Sequence, residues 1–461
     1  MDINRISLTN FKCFKNTVDI DFGKLTILTG PNSSGKSSLI YSILGILQSS
    51  FFPMSFSPNG RLINMGDFKQ ISHNHNKNNI IGISIELNPS NLKINTSWEL
   101  EAKSNNFKLC ELRIHSDFID LNIEKKGKHF ILDYDYKPNK NPGINFFSSY
   151  NINYINLIKS FSLSDDDTSN YKIKNREKDQ KTEEIVFEWF RNLTKQKAKN
   201  NVKLNKIEDI IHDAQYEEKL SFDSIFNEIS KIIKTIGEKL TYISSFRLNP
   251  GRINFDLGKI NYKLEKYGEG YLDQLLMWDS KEKDKIKELT RILKSMQLVY
   301  SIKSKRLDNG RFDILVKTKR NRPYSPIIDV GFGISQFLPI IVADLQLQKE
   351  STLIVSQPEI HLHPSAQSKY GEYIVNSIKN YSKNYIIETH SEYLINRIRL
   401  EVVKNNIKPS DISFYFLDDS ENDIKIYKIF LEKNGSIKNA PKNFFKTYMM
   451  DVFDIAKYSV K

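Results

Sequence analysis

The segment Gly30-Pro31-Asn32-Ser33-Ser34-Gly35-Lys36-Ser37 constrains the fold of this chain more than any other stretch. It fits the pattern G-x-x-x-x-G-K-[ST], in which glycines let the backbone turn its amide groups inward around a phosphate. An apolar segment, 24-KLTILTG-30, precedes it, and a second one, 38-SLIYSILGILQ-48, follows it. The sequence therefore predicts a buried strand, a phosphate-binding loop and a buried helix, which is the context that such a loop requires.

The residues of this loop each have a chemical task around a bound nucleotide. Backbone N–H groups from Gly30 to Gly35 and the N-terminus of the following helix present partial positive charge to the same anion. Lys36 is expected to reach the β- and γ-phosphates of ATP, and the Ser37 hydroxyl is expected to ligate Mg²⁺. The predicted ATP-binding set runs without interruption from Gly30 to Ser38.

Composition narrows the class of protein. The chain has 461 residues, of which 39% are hydrophobic, and its mean hydropathy is −0.46. It has no apolar run of about 18 residues, so no membrane contact is expected. Two cysteines that are far apart in sequence fit a reducing cytoplasm. The net charge of +13 is consistent with a nucleic-acid partner, although a solvated lysine-rich surface explains it equally well.

The chain changes character along its length. Short strand-like segments with turn residues between them fill residues 61–135 and predict an antiparallel sheet. Residues 155–245 are rich in charge and in helical periodicity, which predicts a helical insertion. Strand-like segments then return, and Asp308-Asn309-Gly310 predicts a hairpin turn between two of them.

Three segments downstream of the phosphate loop have the outlines of further ATPase motifs, in the expected order. They are 330-VGFGISQF-337, 353-LIVSQPEIHLHP-364 and 386-IIETHS-391. Together with the opening 9-TNFKCF-14, they make the chain resemble the SMC-like branch of the ABC-type ATPases over residues 1–135 and 240–400. Within that branch, it resembles the small prokaryotic ATPases that accompany a separate effector in antiphage systems such as Septu and PARIS.

The resemblance implies an α/β fold of the ABC-type P-loop ATPase head, with a mixed central sheet and helices, an antiparallel β subdomain and a helical insertion. It divides the chain into an N-terminal lobe at 1–150, the insertion at 151–245, a C-terminal lobe at 246–405 and a small α/β tail at 406–461. It also implies a homodimer, or a higher even oligomer, whose head-to-tail contact encloses ATP.

Further site residues follow from the resemblance, position by position. Gly333 and Ser335 fall in the signature segment, which in ABC-type proteins covers the γ-phosphate held by the opposite protomer. His390 falls at the switch position, from which it would donate to the γ-phosphate, and Gln70 falls in the glutamine loop near Mg²⁺. A zinc site is not predicted, because the histidine pair of the segment HLHP lacks a third ligand at a suitable spacing.

The strand that ends at Ser356 poses a chemical problem. The resembled family usually places an acid there to hold the Mg²⁺ shell, often followed by a glutamate that acts as a base. This chain has Ser356 and Gln357, which are assigned to the metal site and the catalytic site by position. A hydroxyl does not balance the charge of the ion, and a glutamine orients a water without accepting its proton. Glu359 is the nearest carboxylate and the alternative catalytic residue, so ATP is expected to bind while hydrolysis is slow or absent.

Three functions remain open from the sequence. The first is a cytoplasmic ATP-binding regulatory subunit of an antiphage complex, whose dimer controls a separately encoded nuclease, with an HNH type as our expectation. The second is a DNA-repair ATPase, similar to RecF or to the overcoming-lysogenization-defect ATPases, that acts directly on DNA. The third is a scaffold with a vestigial loop, against which the intact Lys36 and Ser37 argue. Arg247 and Arg252 either contact nucleotide or stabilise a turn.

Overall fold

The structure is a computed structural model that describes residues 2–88, 91–101, 105–117, 119–126, 129–136, 222–256, 263–419, 423–441 and 444. Most of the predicted helical insertion and the predicted closing helix of the tail lie outside the described residues. The chain forms two compact units. The first contains Asp21–Tyr41 and Glu238–Lys461, and the second contains Asp2–Ile20 and Ser42–Gly237.

Strands are distributed over both ends of the described chain. In chain order they are β1 (Ile3–Thr9), β2 (Val18–Asp21), β3 (Leu25–Thr29), β4 (Ile81–Leu87), β5 (Leu92–Glu101), β6 (Asn106–His115), β7 (Ile119–Lys126), β8 (His129–Tyr136), β9 (Leu240–Ile243), β10 (Asn254–Phe255), β11 (Ser301–Arg306), β12 (Arg311–Lys317), β13 (Ser325–Pro326), β14 (Thr352–Ser356), β15 (Asn384–Glu388), β16 (Ile412–Asp418), β17 (Lys425–Leu431) and β18 (Ile437–Lys438).

Helices follow the phosphate loop and fill much of the C-terminal half. In chain order they are α1 (Lys36–Gln48), α2 (Phe68–Ile71), α3 (Phe222–Glu238), α4 (Tyr271–Lys281), α5 (Lys283–Ser295), α6 (Phe332–Gln346), α7 (Pro364–Tyr381) and α8 (Glu392–Val403). No helix in the ranges that the structure describes combines the length and apolar character needed to cross a membrane.

The first unit is built on a seven-stranded sheet with the order β18-β17-β16-β3-β15-β14-β9. The strands from β16 to β9 run parallel to one another, and β17 and β18 add an antiparallel edge. β3, β14 and β15 are buried at every position, as expected of short apolar strands that are covered on both faces. Because parallel strands end at the same edge of a sheet, the loops that follow β3, β14 and β15 leave it side by side.

A smaller sheet in the same unit contains the predicted hairpin. β12 pairs with β10, β11 and β13, and all of these pairs are antiparallel. The turn between β11 and β12 carries positive φ angles at Asn309 (59°) and Gly310 (71°), which confirms the turn predicted from Asp308-Asn309-Gly310. β11 begins at Ser301, so the preceding apolar residues Leu298 and Val299 belong to the turn after α5 instead of the strand.

The second unit contains a seven-stranded sheet with the order β2-β1-β4-β5-β6-β7-β8, and its pairs from β1 to β8 are antiparallel. β4 alternates strictly between buried and half-buried residues, with its isoleucines on the buried face. This alternation is typical of a sheet with one face in a core. The antiparallel sheet predicted for residues 61–135 is therefore confirmed, as is the mixed parallel sheet of the α/β class.

Candidate functional site

The phosphate loop between β3 and α1 has a backbone that only glycine can adopt at its two ends. Gly30 has a φ of 141°, and a Cβ added there would lie 2.1 Å from the carbonyl oxygen of Leu417. Gly35 has a φ of 93°, which L side chains rarely adopt. The loop therefore has the curled geometry that the pattern predicts, and α1 begins directly after it at Lys36.

Lys36 is enclosed by this loop. Its ammonium donates hydrogen bonds to the carbonyl oxygens of Gly30 at 3.1 Å and Pro31 at 2.5 Å, and the side chain is 4% exposed. Burial lowers the pKa of Lys36 below its usual value, and the negative charges of Glu388, Asp419 and Glu359 partly oppose this shift. A buried cation at the N-terminus of a helix is a strong site for an anion.

Ser37 is placed next to a carboxylate that we did not predict. Its hydroxyl donates to Oε1 of Glu388 at 2.8 Å. Glu388 is the last residue of β15, and in the parallel ladder it pairs directly with Ser356, the last residue of β14. The signal for Glu388 is present in the sequence, since it precedes the predicted switch histidine in 386-IIETHS-391, but only the register of two strands reveals that it neighbours Ser356.

Ser356 and Gln357 lie where the motif places them, at the end of β14 and at the turn after it. Ser356 is buried and shares a side-chain hydrogen bond with Tyr242, whose pKa is raised by burial while this bond opposes the rise. Gln357 adopts a φ of 47°, and its backbone N–H donates to the carbonyl oxygen of Glu388 at 2.7 Å. The turn after β14 is therefore tied to the end of β15.

Glu359 joins the loops that follow these two strands. Its carboxylate accepts from the backbone N–H of His390 at 2.7 Å and from the Thr389 hydroxyl at 2.8 Å. Burial raises the pKa of Glu359, and the hydrogen bonds to His390 and Thr389 act in the opposite direction. Both carboxylate oxygens thus hold the loop after β15, which is a positioning role.

His390 lies exposed at the start of the loop after β15. Its pKa is lowered, first by partial desolvation of its ring and then by the positive charge of Lys36, with Glu388 acting in the opposite direction. A neutral imidazole retains one N–H that can donate to a phosphate oxygen.

The signature residues stand at the beginning of α6, as predicted. A Cβ added to Gly333 would lie 2.2 Å from the carbonyl oxygen of His361, so the close approach of these two segments requires glycine. The Ser335 hydroxyl donates to the carbonyl oxygen of Phe332 at 2.9 Å, within the first turn of the helix. Gly331, by contrast, has no atom within 4 Å of an added Cβ. Within the chain itself, Gly333 therefore has a packing role, and Ser335 has a role at the helix end.

Arg247 is a buried residue of the site, and Arg252 is not. The Arg247 guanidinium donates to the carbonyl oxygens of Ser356 at 2.8 Å and Gln357 at 2.9 Å, and burial lowers its pKa to about 10. It therefore stabilises the turn after β14 through the backbone of that turn. Arg252 is exposed and forms an ion pair with Asp329 at 2.7 Å.

Gln70 belongs to the second unit. It is the third residue of α2 and forms a capping box with Asp67, in which its side chain accepts from the Asp67 backbone N–H at 3.0 Å. Its place beside Mg²⁺ remains a prediction. In the part of the chain that the structure describes, no cluster of three or more histidine, cysteine, aspartate and glutamate side chains is arranged to hold a metal.

The assembled residues fit a nucleoside triphosphate with Mg²⁺. The loop encloses the Lys36 ammonium, and the Ser37 hydroxyl lies against the Glu388 carboxylate, so the site presents oxygen atoms of the kind that Mg²⁺ prefers. The comparison with protein families agrees with this fit, because the model of the AAA ATPase domain matches residues 1–395. The chain belongs to the AAA ATPase domain family.

Solved structures similar to this AAA ATPase domain include two SMC head domains. The head domain from Thermotoga maritima aligns with 10% identity and a TM-score of 0.37 over 94% of this chain and 100% of that one. The head domain from Pyrococcus furiosus, with an extended coiled coil and bound to the C-terminal domain of ScpA, aligns with 13% identity and a TM-score of 0.39 over 99% of each chain. No curated protein matches the chain.

Proposed function

We propose that this AAA ATPase domain binds ATP with Mg²⁺ in the loop Gly30–Ser38 and that the bound nucleotide controls the association of its copies. The observation that carries the proposal is the convergence of Lys36 and Ser37, which begin α1, with Glu388, which ends the strand β15 beside β3. Gly333 and Ser335 lie in the first turn of α6, and the proposed contact between copies at this turn rests on the resemblance to ABC-type ATPases.

Hydrolysis by this site is proposed to be slow. Gln357 orients a water without accepting its proton, and the Glu359 carboxylate already holds the backbone of His390. The loss of a general base typically costs a factor of about 10² to 10⁴ in rate. A slow ATPase suits a regulatory subunit, because the nucleotide-bound form then persists.

The biological setting that we propose is a cytoplasmic antiphage complex in which this chain controls a separately encoded nuclease, with an HNH type as the expected partner. This setting rests on the resemblance of the phosphate loop and of 353-LIVSQPEIHLHP-364 to small antiphage ATPases. Isolation of the chain from its native cells under mild conditions, with mass spectrometry of bound proteins, tests it. Co-purification of a nuclease supports the setting, and isolation without one in both the presence and the absence of ATP contradicts it.

Nucleotide-controlled association is tested with Lys36→Ala. We expect the wild-type chain to bind ATP with Mg²⁺ and to increase in mass on light scattering, whereas Lys36→Ala loses both responses because the buried ammonium is gone. Lys349→Ala, which removes an exposed lysine of the same unit, is the matched control. A wild-type chain that does not bind ATP, or that binds it with no change in mass, contradicts the proposal.

A second candidate function, direct action on DNA, is favoured by one surface. We define the basic hairpin face as Lys303, Lys305 and Lys317, which lie on the exposed side of β11 and β12, together with Tyr324. The ammonium groups of Lys303 and Lys317 lie 4.2 Å and 5.7 Å from the centre of the Tyr324 ring. Three more exposed cations, Lys319, Arg320 and Arg322, follow in the next loop. Cations interleaved with an aromatic ring are typical of surfaces that track a phosphate backbone.

The basic hairpin face is tested by changing Lys303, Lys305 and Lys317 together to glutamine. If the face binds DNA, the slope of log affinity against log salt for a duplex should fall by about 0.9 for each lysine that contacts a phosphate. Fluorescence anisotropy with a labelled duplex measures this slope. The matched control changes the exposed lysines Lys281, Lys283 and Lys287 to glutamine, which lowers the net charge by the same amount on another surface. Equal slopes in the two variants contradict the assignment.

A further inference from the structure

We infer that Glu388, at the end of β15, supplies the carboxylate of the Mg²⁺ site in place of the acid that Ser356 lacks. This inference rests on the proposed binding of ATP in the loop Gly30–Ser38. It assigns a metal-site role to a residue on the strand beside the one that ordinarily carries the acid. The negative charge of the metal site is then carried by β15 instead of β14.

The register of the sheet makes this exchange geometrically direct. Ser356 and Glu388 pair in the parallel ladder, so their side chains leave the same edge of the sheet at the same level. Neighbouring strands lie about 4.8 Å apart. A glutamate side chain is one methylene longer than an aspartate, and Oε1 of Glu388 is within 2.8 Å of the Ser37 hydroxyl.

Of the carboxylates near Lys36, Glu388 is the one in contact with Ser37. Three carboxylates act on the charge of Lys36, namely Glu388, Asp419 and Glu359. Glu359 accepts hydrogen bonds from His390 and Thr389, and Asp419 is exposed on the loop after β16. Glu388 is 5% exposed and is the carboxylate whose oxygen contacts the expected metal ligand Ser37.

Two further contacts fix the end of β15 in this position. The backbone N–H of Gln357 donates to the carbonyl oxygen of Glu388 at 2.7 Å, and the backbone N–H of Thr389 donates to that of Leu28 at 3.0 Å. The Ser356 side chain is hydrogen-bonded with Tyr242. Glu388 is therefore held between the phosphate-loop strand and β14. Ser37 and Glu388 would together hold the ion, with the hydroxyl as a ligand and the carboxylate balancing its charge.

The deciding experiment separates nucleotide affinity from metal affinity. The affinity for a non-hydrolysable ATP analogue is measured in EDTA and in Mg²⁺, and the binding of Mn²⁺ to the nucleotide complex is measured by electron paramagnetic resonance. For Glu388→Gln we expect Mn²⁺ to bind about 10- to 100-fold more weakly, which is the usual cost of losing a group that supports a metal ligand. Affinity for the analogue in EDTA should be unchanged or higher, because a negative charge near the phosphates is removed.

Three further variants make the result specific. Asp419→Asn removes an equal charge near Lys36 and should leave Mn²⁺ binding unchanged. The double change Glu388→Gln with Ser356→Asp returns a carboxylate to the same edge of the sheet and should restore Mn²⁺ binding. Glu388→Asp keeps the charge but shortens the side chain, so it should weaken Mn²⁺ binding. This variant provides the test if Glu388→Gln does not fold.

Each outcome decides between the inference and the proposed function. Wild-type Mn²⁺ affinity in folded Glu388→Gln overturns the inference. The inference is also overturned if Glu388→Asp keeps wild-type Mn²⁺ affinity and Ser356→Asp does not change the Mn²⁺ affinity of Glu388→Gln. If the wild-type chain fails to bind the analogue both in EDTA and in Mg²⁺, the proposed function fails. Loss of analogue affinity in EDTA for Glu388→Gln assigns Glu388 to the shape of the loop and likewise overturns its metal role.

Discussion

At the residue scale, the chemistry of the site depends on which side chains share the end of the sheet. The phosphate loop was predictable residue by residue, because its function is encoded in contiguous glycines, a lysine and a serine. Glu388 was not predictable in this way, because its partnership with Ser37 depends on two strands being neighbours in a parallel ladder. The support that Arg247 gives to the turn after β14 was hidden for the same reason, since it joins residues more than a hundred positions apart.

Glu359→Gln tests the positioning role of the buried carboxylate. Burial raises the pKa of Glu359 in the folded state above its usual value of 4.5, so its stabilising effect is present below that pH and is lost as the pH rises through the folded-state pKa. An amide does not titrate. We therefore expect the free energy of unfolding of Glu359→Gln, relative to wild type, to increase as the pH is raised from about 4.5 toward neutrality.

Urea unfolding at several pH values measures this difference, with Glu265→Gln as the control at an exposed position of the same unit. The same variant should retain ATP binding, since Glu359 contacts the loop after β15 and not the phosphate loop. A difference that is flat with pH, or that falls as the pH rises, contradicts the expected effect of burial on this group.

At the element scale, periodicity and turn chemistry predicted most of the elements but not their close contacts. The strand before the phosphate loop, the helix after it and the hairpin at Asn309-Gly310 are where the sequence placed them. The glycine-rich start of α6 was interpreted as an anion-binding helix end, whereas Gly333 is also required by the approach of the loop at His361. Contacts between elements that are distant in sequence leave no periodic signal, so a glycine needed for packing looks the same as one needed for binding.

Gly333→Ala tests the packing role of this glycine. The added Cβ would lie 2.2 Å from the carbonyl oxygen of His361, so the two segments must move apart, and overpacking of this kind costs about 1 to 3 kcal/mol. Gly331→Ala is the matched control, because nothing lies within 4 Å of its added Cβ. Urea unfolding measures the free energy of unfolding of each variant. Equal stabilities for the two variants contradict the packing role of Gly333.

At the scale of the whole molecule, the sequence predicted the class of fold but not how the chain is divided. The match to the AAA ATPase domain runs continuously over residues 1–395, whereas the resemblance was limited to residues 1–135 and 240–400. Each compact unit contains chain segments that are far apart in sequence, with the change from one to the other falling at Tyr41 and Ser42 within α1. Such a division arises from long-range packing, which composition does not show. The predicted boundaries at 150, 245 and 405 stay predictions.

The adjacency of Glu388 and His390 on one strand end matters for how such chains are sorted into active and inactive members. A survey that looks for an acid only at position 356 would discard this chain as a pseudoenzyme. The carboxylate facing Ser37 and the histidine near Lys36 instead lie two residues apart. Because residues 388 to 390 are contiguous, any displacement of that segment would move the carboxylate and the imidazole together.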